Sequence, residues 1–198
     1  MTKQNRESTK VKQLIRIGVF SALWIVVGFL ISFTIGFFPP VLLVLPCILA
    51  VFGSMIYVVL LSKIEIRGGV FVPAFLLGIC LFTMVPYGLL FFFTAGLGLI
   101  GEIIYASSGD TKRKMIAVAM PSLGLALGQY IPMGYMQDAF MALMAQQSTG
   151  GIGEATMNMM NTPVIIVLVI ATIICSFIGY KWGEKIVKNR LSRTEGEI

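Results

Sequence analysis

The 198-residue chain has no histidine, three cysteines and few charged residues. Without histidine it lacks the usual acid–base group near neutral pH and the commonest metal ligand. Cys47, Cys80 and Cys175 show no CxxC spacing, so we interpret them as small buried hydrophobic residues. Charged residues make up 12% and hydrophobic residues 57% of the chain, whereas a soluble domain carries about 25% charged residues. This scarcity of charge predicts an integral membrane protein.

Long apolar runs divide the chain into six predicted transmembrane helices, which form one all-α domain over residues 1–198. The predicted spans cover roughly residues 14–37, 41–61, 70–85, 89–105, 115–131 and 162–182. Pro39–Pro40 and Pro86–Gly88 mark tight turns, and Pro132 is expected to end the fifth span. The uncharged run Gly68–Gly101 is too long for a single crossing, so we assign two spans to it.

The fifteen basic residues predict the orientation in the membrane. They fall in the N-terminal segment, the connections between spans two and three and between spans four and five, and the C-terminal segment. The positive-inside rule places these four segments in the cytoplasm, including the basic N-terminus (1–16) and the tail (183–198). The net charge of +6 does not indicate nucleic-acid binding, because the basic residues occur in short clusters between apolar runs.

Residues 133–161 are predicted to form an extracellular segment between spans five and six. The segment contains no Lys or Arg and seven of the twelve methionines. Met136, Phe140, Leu143 and Met144 recur at the spacing of one helix face, and the glycine-rich stretch Ser148–Gly153 is expected to interrupt that helix. Two interpretations remain open, a mobile lid and an amphipathic helix on the membrane surface.

Polar and aromatic residues at the predicted extracellular end form a candidate substrate-binding site. They are Tyr87, Gln129, Tyr130, Tyr135, Gln137, Asp138, Asn158 and Asn161. Aromatic walls with a few amide and hydroxyl groups are typical of small-molecule pockets, although tyrosines also anchor helices at the interface and asparagines cap them. The few charges favour a neutral or weakly charged, partly aromatic ligand. Asp138 and Glu154 would tolerate a cation, and a tetrapyrrole would need Met, Tyr or Cys as its iron ligand.

The sequence contains no recognisable catalytic, metal-binding or cofactor-binding set. Glu102 is the only carboxylate within the predicted spans, and we expect it to have a structural role beside a Lys or Arg rather than to relay protons. A nucleophile–base pair, a carboxylate dyad and a metal cluster are all missing, which argues against an enzyme. There is also no P-loop for ATP hydrolysis.

Gly18 and Ala22 lie four residues apart at the predicted cytoplasmic end of span one. Small residues at this spacing let a second helix approach closely. The partner helix belongs either to the same bundle or to another protein. Gly124 and Gly128 form a second pair of this kind.

The stretch Ile15–Trp24, with Gly18-xxx-Ala22, resembles the small-xxx-small coupling motif on helix one of the substrate-binding S components of energy-coupling factor (ECF) vitamin transporters. More narrowly, this stretch and the segments Leu61–Gly101 and Gln129–Gln147 resemble the Trep_Strep group of integral membrane proteins. Gly18 stands where the S-component motif often has alanine. The resemblance implies a complex with a membrane T component and two cytoplasmic ATPase subunits. The T component would contact Gly18 and Ala22, and substrate would bind near the extracellular face.

These observations predict a membrane-embedded binding protein rather than an enzyme, and the resemblance implies that it is a subunit of an ATP-driven importer for a vitamin or related micronutrient in the bacterial cell membrane. A stand-alone facilitator or channel would require a polar pathway through the membrane, which the sequence does not indicate. A membrane scaffold would bind no small molecule. An intramembrane enzyme would need the catalytic set that is missing.

Overall fold

The computed structural model describes residues 3–35, 38–107, 109–146 and 150–195, and most of these residues are helical. The helices are α1 (Lys3–Ile35), α2 (Pro39–Leu61), α3 (Phe71–Cys80), α4 (Leu89–Ala106), α5 (Thr111–Tyr135), α6 (Gln137–Gln146), α7 (Gly150–Met157) and α8 (Thr162–Glu195). A 3₁₀ turn at Pro86–Gly88 precedes α4. No strand occurs in these residues, so the all-α prediction is confirmed for them.

Five helices are long and apolar enough to cross a membrane. The segments are Thr9–Thr34, Val41–Leu61, Pro86–Ala106, Thr111–Tyr135 and Thr162–Asn189. The apolar helix α3 has only ten residues, which is about 15 Å of helix, or half of a hydrocarbon core of about 30 Å. The described residues thus contain five helices of spanning length and one half-length helix, where the sequence predicted six spans.

A sharp turn at Pro86–Gly88 separates the short helix α3 from α4. Val85 is extended, with φ −135° and ψ 157°, as expected for a residue that precedes proline. Tyr87 and Gly88 both have positive φ, at 57° and 64°, so the chain reverses direction here. The helix predicted to reach Val85 ends at Cys80, and residues 81–85 form turns at the end of the bundle.

Proline was expected to mark the turn into α2 at Pro39–Pro40 and the end of the fifth span at Pro132, and the structure differs between these two places. Pro39–Pro40 begin α2 as predicted, since the first turn of a helix needs no N–H partner there. The prediction that Pro132 ends the fifth span is wrong, because α5 continues to Tyr135 and also contains Pro121. Within a membrane bundle, neighbouring groups and local adjustment can satisfy the carbonyl that proline leaves free.

Helix α8 begins where the sequence predicts. The Oδ1 of Asn161 accepts a hydrogen bond from the Val164 N–H at 3.0 Å, which makes Asn161 the N-cap. The predicted end at about Trp182 is too early, because α8 extends to Glu195. The apolar run ends near Trp182, but the helix does not. The basic residues that follow Trp182 continue α8 beyond the apolar part of the bundle.

Helices α2 and α5 form the centre of the bundle. Within their membrane segments 61% of the residues are buried, against 17–28% in α1, α4 and α8. Helix α5 packs most extensively on α4, and α2 packs on α8. Glycine permits both contacts, because a Cβ at Gly124 would lie 2.5 Å from the Phe93 carbonyl oxygen and one at Gly179 would overlap the Val51 backbone.

Small polar groups also join α2 to α8. The hydroxyls of Ser54 and Ser176 lie 2.5 Å apart in the buried interface. Cys47 is buried in the same contact, as predicted, whereas Cys80 is exposed and Cys175 is partly buried. All three cysteines are free thiols.

The segment between α5 and α8 contains α6 and α7. Phe140 and Met144, from the predicted amphipathic face, are buried on α6, while Met136 is exposed just before it. The predicted interruption lies partly at residues 147–149, which are outside the described residues. Helix α6 ends at Gln146 and a separate helix, α7, begins at Gly150, so the predicted interruption does not extend over Gly150–Gly153, which are helical.

Candidate functional site

The two ends of the bundle differ in chemistry. At one end, which we call the basic end, the guanidinium of Arg16 donates to the Lys63 carbonyl at 2.7 Å. The Oε1 of Gln13 accepts from the backbone N–H groups of Glu65 and Ile66 at 3.0 Å. These bonds fix the part of α1 around Gln13 and Arg16 against the chain that follows α2. The opposite end contains the Pro86–Gly88 turn and α6.

A cavity of about 240 Å³ lies among the helices toward this opposite end. For comparison, an apolar cavity of about 150 Å³ in another protein holds a benzene molecule. The cavity is lined by Trp24, Gly28, Phe29, Ser32, Phe33, Leu42, Leu45, Leu49, Leu77, Leu81, Met84, Val85, Leu90, Leu125, Gln129, Met133, Phe140 and Met144. None of these residues is charged, and most of the wall is apolar.

Helix α1 supplies one wall of the cavity. Trp24, Gly28 and Ser32 recur every four residues and therefore lie on one face of the helix. The rings of Phe29 and Phe33 stack beside this face with centroids 5.9 Å apart. A Cβ at Gly28 would meet only Leu49, at 4.0 Å, so the missing side chain leaves open space in the wall.

The short helix α3 and the helix α6 shape the outer part of the cavity. Because α3 ends at Cys80, the turn residues Leu81, Met84 and Val85 reach the cavity wall. Phe140, 1% exposed, and Met144 contribute from α6. The segment after α5 is therefore part of the cavity wall.

Gln129 is the main polar group in the wall. Its amide Nε2 donates to the Leu42 carbonyl oxygen at 3.0 Å. Because a carbonyl can only accept, this bond fixes the orientation of the amide. The Oε1 of Gln129 accepts no hydrogen bond from the described residues, so it remains available as an acceptor beside the cavity.

Of the predicted binding residues, Gln129 lines the cavity and the others lie away from its wall. Tyr130 is fully buried and donates to the Leu43 carbonyl at 2.7 Å, next to the Gln129 bond. Tyr87 is 74% exposed. Tyr135 is also exposed, and its hydroxyl lies 3.3 Å from that of Thr162.

The remaining predicted residues are also on the surface of the same end. Gln137 and Asp138 begin α6 and are exposed. Asn158 is exposed in the turn after α7, and the side chain of Asn161 caps α8. These positions surround the end of the bundle that holds the cavity.

Sequence reasoning did not identify the α1 wall. The signal was present, since Trp24, Gly28 and Ser32 place an aromatic ring, a residue without a side chain and a hydroxyl group on one face of a largely apolar span. The α2 residues Leu42, Leu45 and Leu49 gave no such signal, because leucine occurs both in helix–helix contacts and on lipid-facing surfaces. Its presence therefore does not indicate a cavity wall.

Gly18 and Ala22 form an open surface on α1, which we call the Gly18/Ala22 strip. Both residues are exposed, and a Cβ added at Gly18 would meet nothing within 4 Å among the described residues. Gly124 and Gly128, by contrast, pack directly on the α4 backbone. Of the two pairs noted in the sequence, one is used within the bundle and the other is not.

Glu102 lies at the basic end beside a second cavity of about 260 Å³, whose lining includes Arg67. Its carboxylate accepts from the N–H groups of Gly68, Val70 and Phe71 at 2.7, 2.8 and 3.1 Å. These groups precede and begin α3, where backbone N–H groups lack partners within the helix. The structural role expected for Glu102 is thus fulfilled by backbone contacts, not by the Lys or Arg that we anticipated.

Five helices of spanning length, four of which line the cavity, define a polytopic α-helical membrane protein. Residues 11–193 match the family described as hypothetical bacterial integral membrane protein (Trep_Strep). The chain belongs to this family. No curated protein and no solved structure matched the chain.

Proposed function

We propose that this protein is the substrate-binding S component of an ATP-driven, ECF-type importer for a vitamin or related micronutrient. In this proposal it lies in the cell membrane with both termini in the cytoplasm. It binds substrate without chemical conversion. A membrane T component and two cytoplasmic ATPase subunits would supply the energy for transport.

The observation that carries the proposal is that α1 both lines the cavity and presents the open Gly18/Ala22 strip. Trp24, Gly28 and Ser32 line the cavity, and Gly18 and Ala22, nearer the basic end, form an open strip on the same helix. A rigid helix connects the two sites. Binding in the cavity and contact with a partner could therefore be coupled through α1 without a further element.

The contrast between the small-residue pairs supports an external partner. In a membrane, small residues allow close helix packing, and neighbouring lipid fills such a groove less well. Gly124 and Gly128 receive the backbone of α4. The Gly18/Ala22 strip offers a similar groove and receives no helix of the described chain, so we assign it to the T component.

The experiment replaces strip residues with a bulky one and measures binding and transport separately. We expect Gly18→Leu and Ala22→Leu to abolish uptake and to release the ATPase subunits on co-purification, because leucine fills the groove. Ligand binding by the isolated subunit should remain unchanged. Gly96→Leu is the matched control, since Gly96 is also exposed with nothing within 4 Å of an added Cβ.

Other outcomes would favour different functions. If binding and uptake fall together in Gly18→Leu but not in Gly96→Leu, the strip serves internal packing. Uptake by reconstituted protein without any ATPase would identify a facilitator. Protein purified from its native host with no small molecule and no ATPase subunit would indicate a scaffold.

A further inference from the structure

We propose that the cavity binds an uncharged, ring-bearing molecule of roughly ten non-hydrogen atoms that donates an N–H or O–H hydrogen bond to Gln129. This inference rests on the proposed function and specifies the class of substrate. It is carried by the charge, shape and hydrogen-bonding capacity of the cavity wall.

The absence of charge in the wall excludes ionised groups from the enclosed part of the ligand. None of the described lining residues is charged, and Gln129, Ser32 and Trp24 supply the polar side-chain groups. A buried ion without a partner loses far more hydration energy than these groups would return. Asp138 is exposed on α6 and does not line the cavity, so it offers no compensation there.

Volume and shape favour a compact ring system. Scaling from benzene in a cavity of about 150 Å³, the volume of about 240 Å³ accommodates roughly ten non-hydrogen atoms. Trp24, Phe29 and Phe140 present aromatic surface to this space. Aromatic rings pack well against other rings in offset or edge-to-face arrangements. The cavity is partly open, so this volume describes the ring-bearing part of the ligand that the wall surrounds.

Gln129 determines which polar group the ligand carries. Its Nε2 is held by the Leu42 carbonyl, so the Oε1 is the free end of the amide. A ligand that donates to this oxygen gains a hydrogen bond, whereas a ligand with only acceptors leaves it unpaired. A lipid acyl chain would fill the apolar space but would also leave this oxygen without a donor, which argues for a small molecule with a donor.

The test uses the full-length protein in lipid nanodiscs and three matched probes. Indole is uncharged and has an N–H donor, 1-methylindole lacks the donor, and indole-3-carboxylate carries a charge. We expect indole to bind saturably by titration calorimetry after subtraction of empty nanodiscs. It should bind roughly 3- to 10-fold more tightly than 1-methylindole, the usual range for one hydrogen bond, and at least about tenfold more tightly than the carboxylate.

Two variants connect this binding to the cavity. Gly28→Leu places a side chain in the open space beside Leu49 and should abolish indole binding, whereas the control Gly96→Leu on the outer face of α4 should preserve it. Gln129→Leu should weaken indole to the level of 1-methylindole and leave 1-methylindole unchanged. General damage to the site would instead weaken both probes.

Several results would overturn the inference. These are no saturable indole binding, equal affinity for indole and its carboxylate, or a cavity that retains only a lipid or detergent chain by mass spectrometry. If a charged molecule co-purifies and Gly28→Leu releases it, the substrate class is wrong and the S-component function stands. If indole binds as expected but no ATPase subunit associates and uptake needs none, the cavity assignment stands and the S-component function fails.

Discussion

At the scale of single residues, Glu102 illustrates how a carboxylate is accommodated at the edge of an apolar bundle. It belongs to α4, yet it binds the backbone before and at the start of α3 through both oxygens. A carboxylate near a helix N-terminus also interacts favourably with the helix dipole. Glu102 therefore ties the chain between α2 and α3 to α4.

Substituting Glu102 with Gln should lower stability more than the same change at Glu65. The amide can accept at one position only and presents an N–H₂ group to the other backbone N–H. Loss of charge-assisted bonds should cost roughly 2–4 kcal/mol in unfolding free energy. Unfolding in mixed detergent micelles would measure this, with the exposed Glu65→Gln as the control. Equal stability of the two variants would contradict the assigned role.

At the scale of helices, glycine position decides which pairs of helices pack closely. The helices α4 and α5 approach until the backbone of one meets Gly124 and Gly128 of the other. Gly96, on α4 itself, faces away from any described neighbour. Glycine thus permits close helix packing on the side of α4 that faces α5, whereas Gly96 lies on an open side of α4.

Gly124→Ala should destabilise the bundle, whereas Gly96→Ala should be neutral or stabilising. A methyl group at Gly124 would approach the Phe93 carbonyl to 2.5 Å, and such overpacking costs about 1–3 kcal/mol. At Gly96 the higher helix propensity of alanine contributes up to about 1 kcal/mol with no clash. Thermal unfolding in detergent would compare the two. A stable Gly124→Ala protein would show that α4 and α5 are farther apart.

At the scale of the whole molecule, the distribution of basic residues predicts which end of the bundle lies on the cytoplasmic side of the membrane. At the basic end Arg16 of α1 is bonded to the chain after α2, and the cavity lies toward the other end. An importer of the proposed kind needs the cavity to open toward the outside. The positive-inside rule predicts this orientation.

Cysteine labelling in intact cells tests this orientation. Cysteine would be introduced at Ser107 or Asn158, both exposed, in a chain whose own cysteines are replaced by alanine. A membrane-impermeant maleimide should label Asn158→Cys directly and Ser107→Cys only after permeabilisation. Labelling of Ser107→Cys in intact cells, with Asn158→Cys protected, would reverse the topology.

Much of the fold could be predicted from the sequence because a membrane restricts the alternatives. Apolar runs must form helices to satisfy their backbone, so the all-α class followed directly. The start of α2 at Pro39–Pro40 and the Asn161 cap followed from local chemistry. The continuation of α5 past Pro132 could not be predicted, because it depends on the neighbouring groups that satisfy the carbonyl left free by proline, and these are set by tertiary packing.

What the sequence determined by itself was the membrane class, the helical backbone and the uneven distribution of charge. Each of these follows from composition and short-range pattern. Tertiary structure decided which of Gly18/Ala22 and Gly124/Gly128 is covered, that α3 stops at Cys80, and that the cavity touches Gln129 but not the neighbouring Tyr130. These outcomes depend on which face of each helix packs against a neighbour. Because the membrane helices are apolar on nearly every side, the hydrophobic pattern does not identify that face.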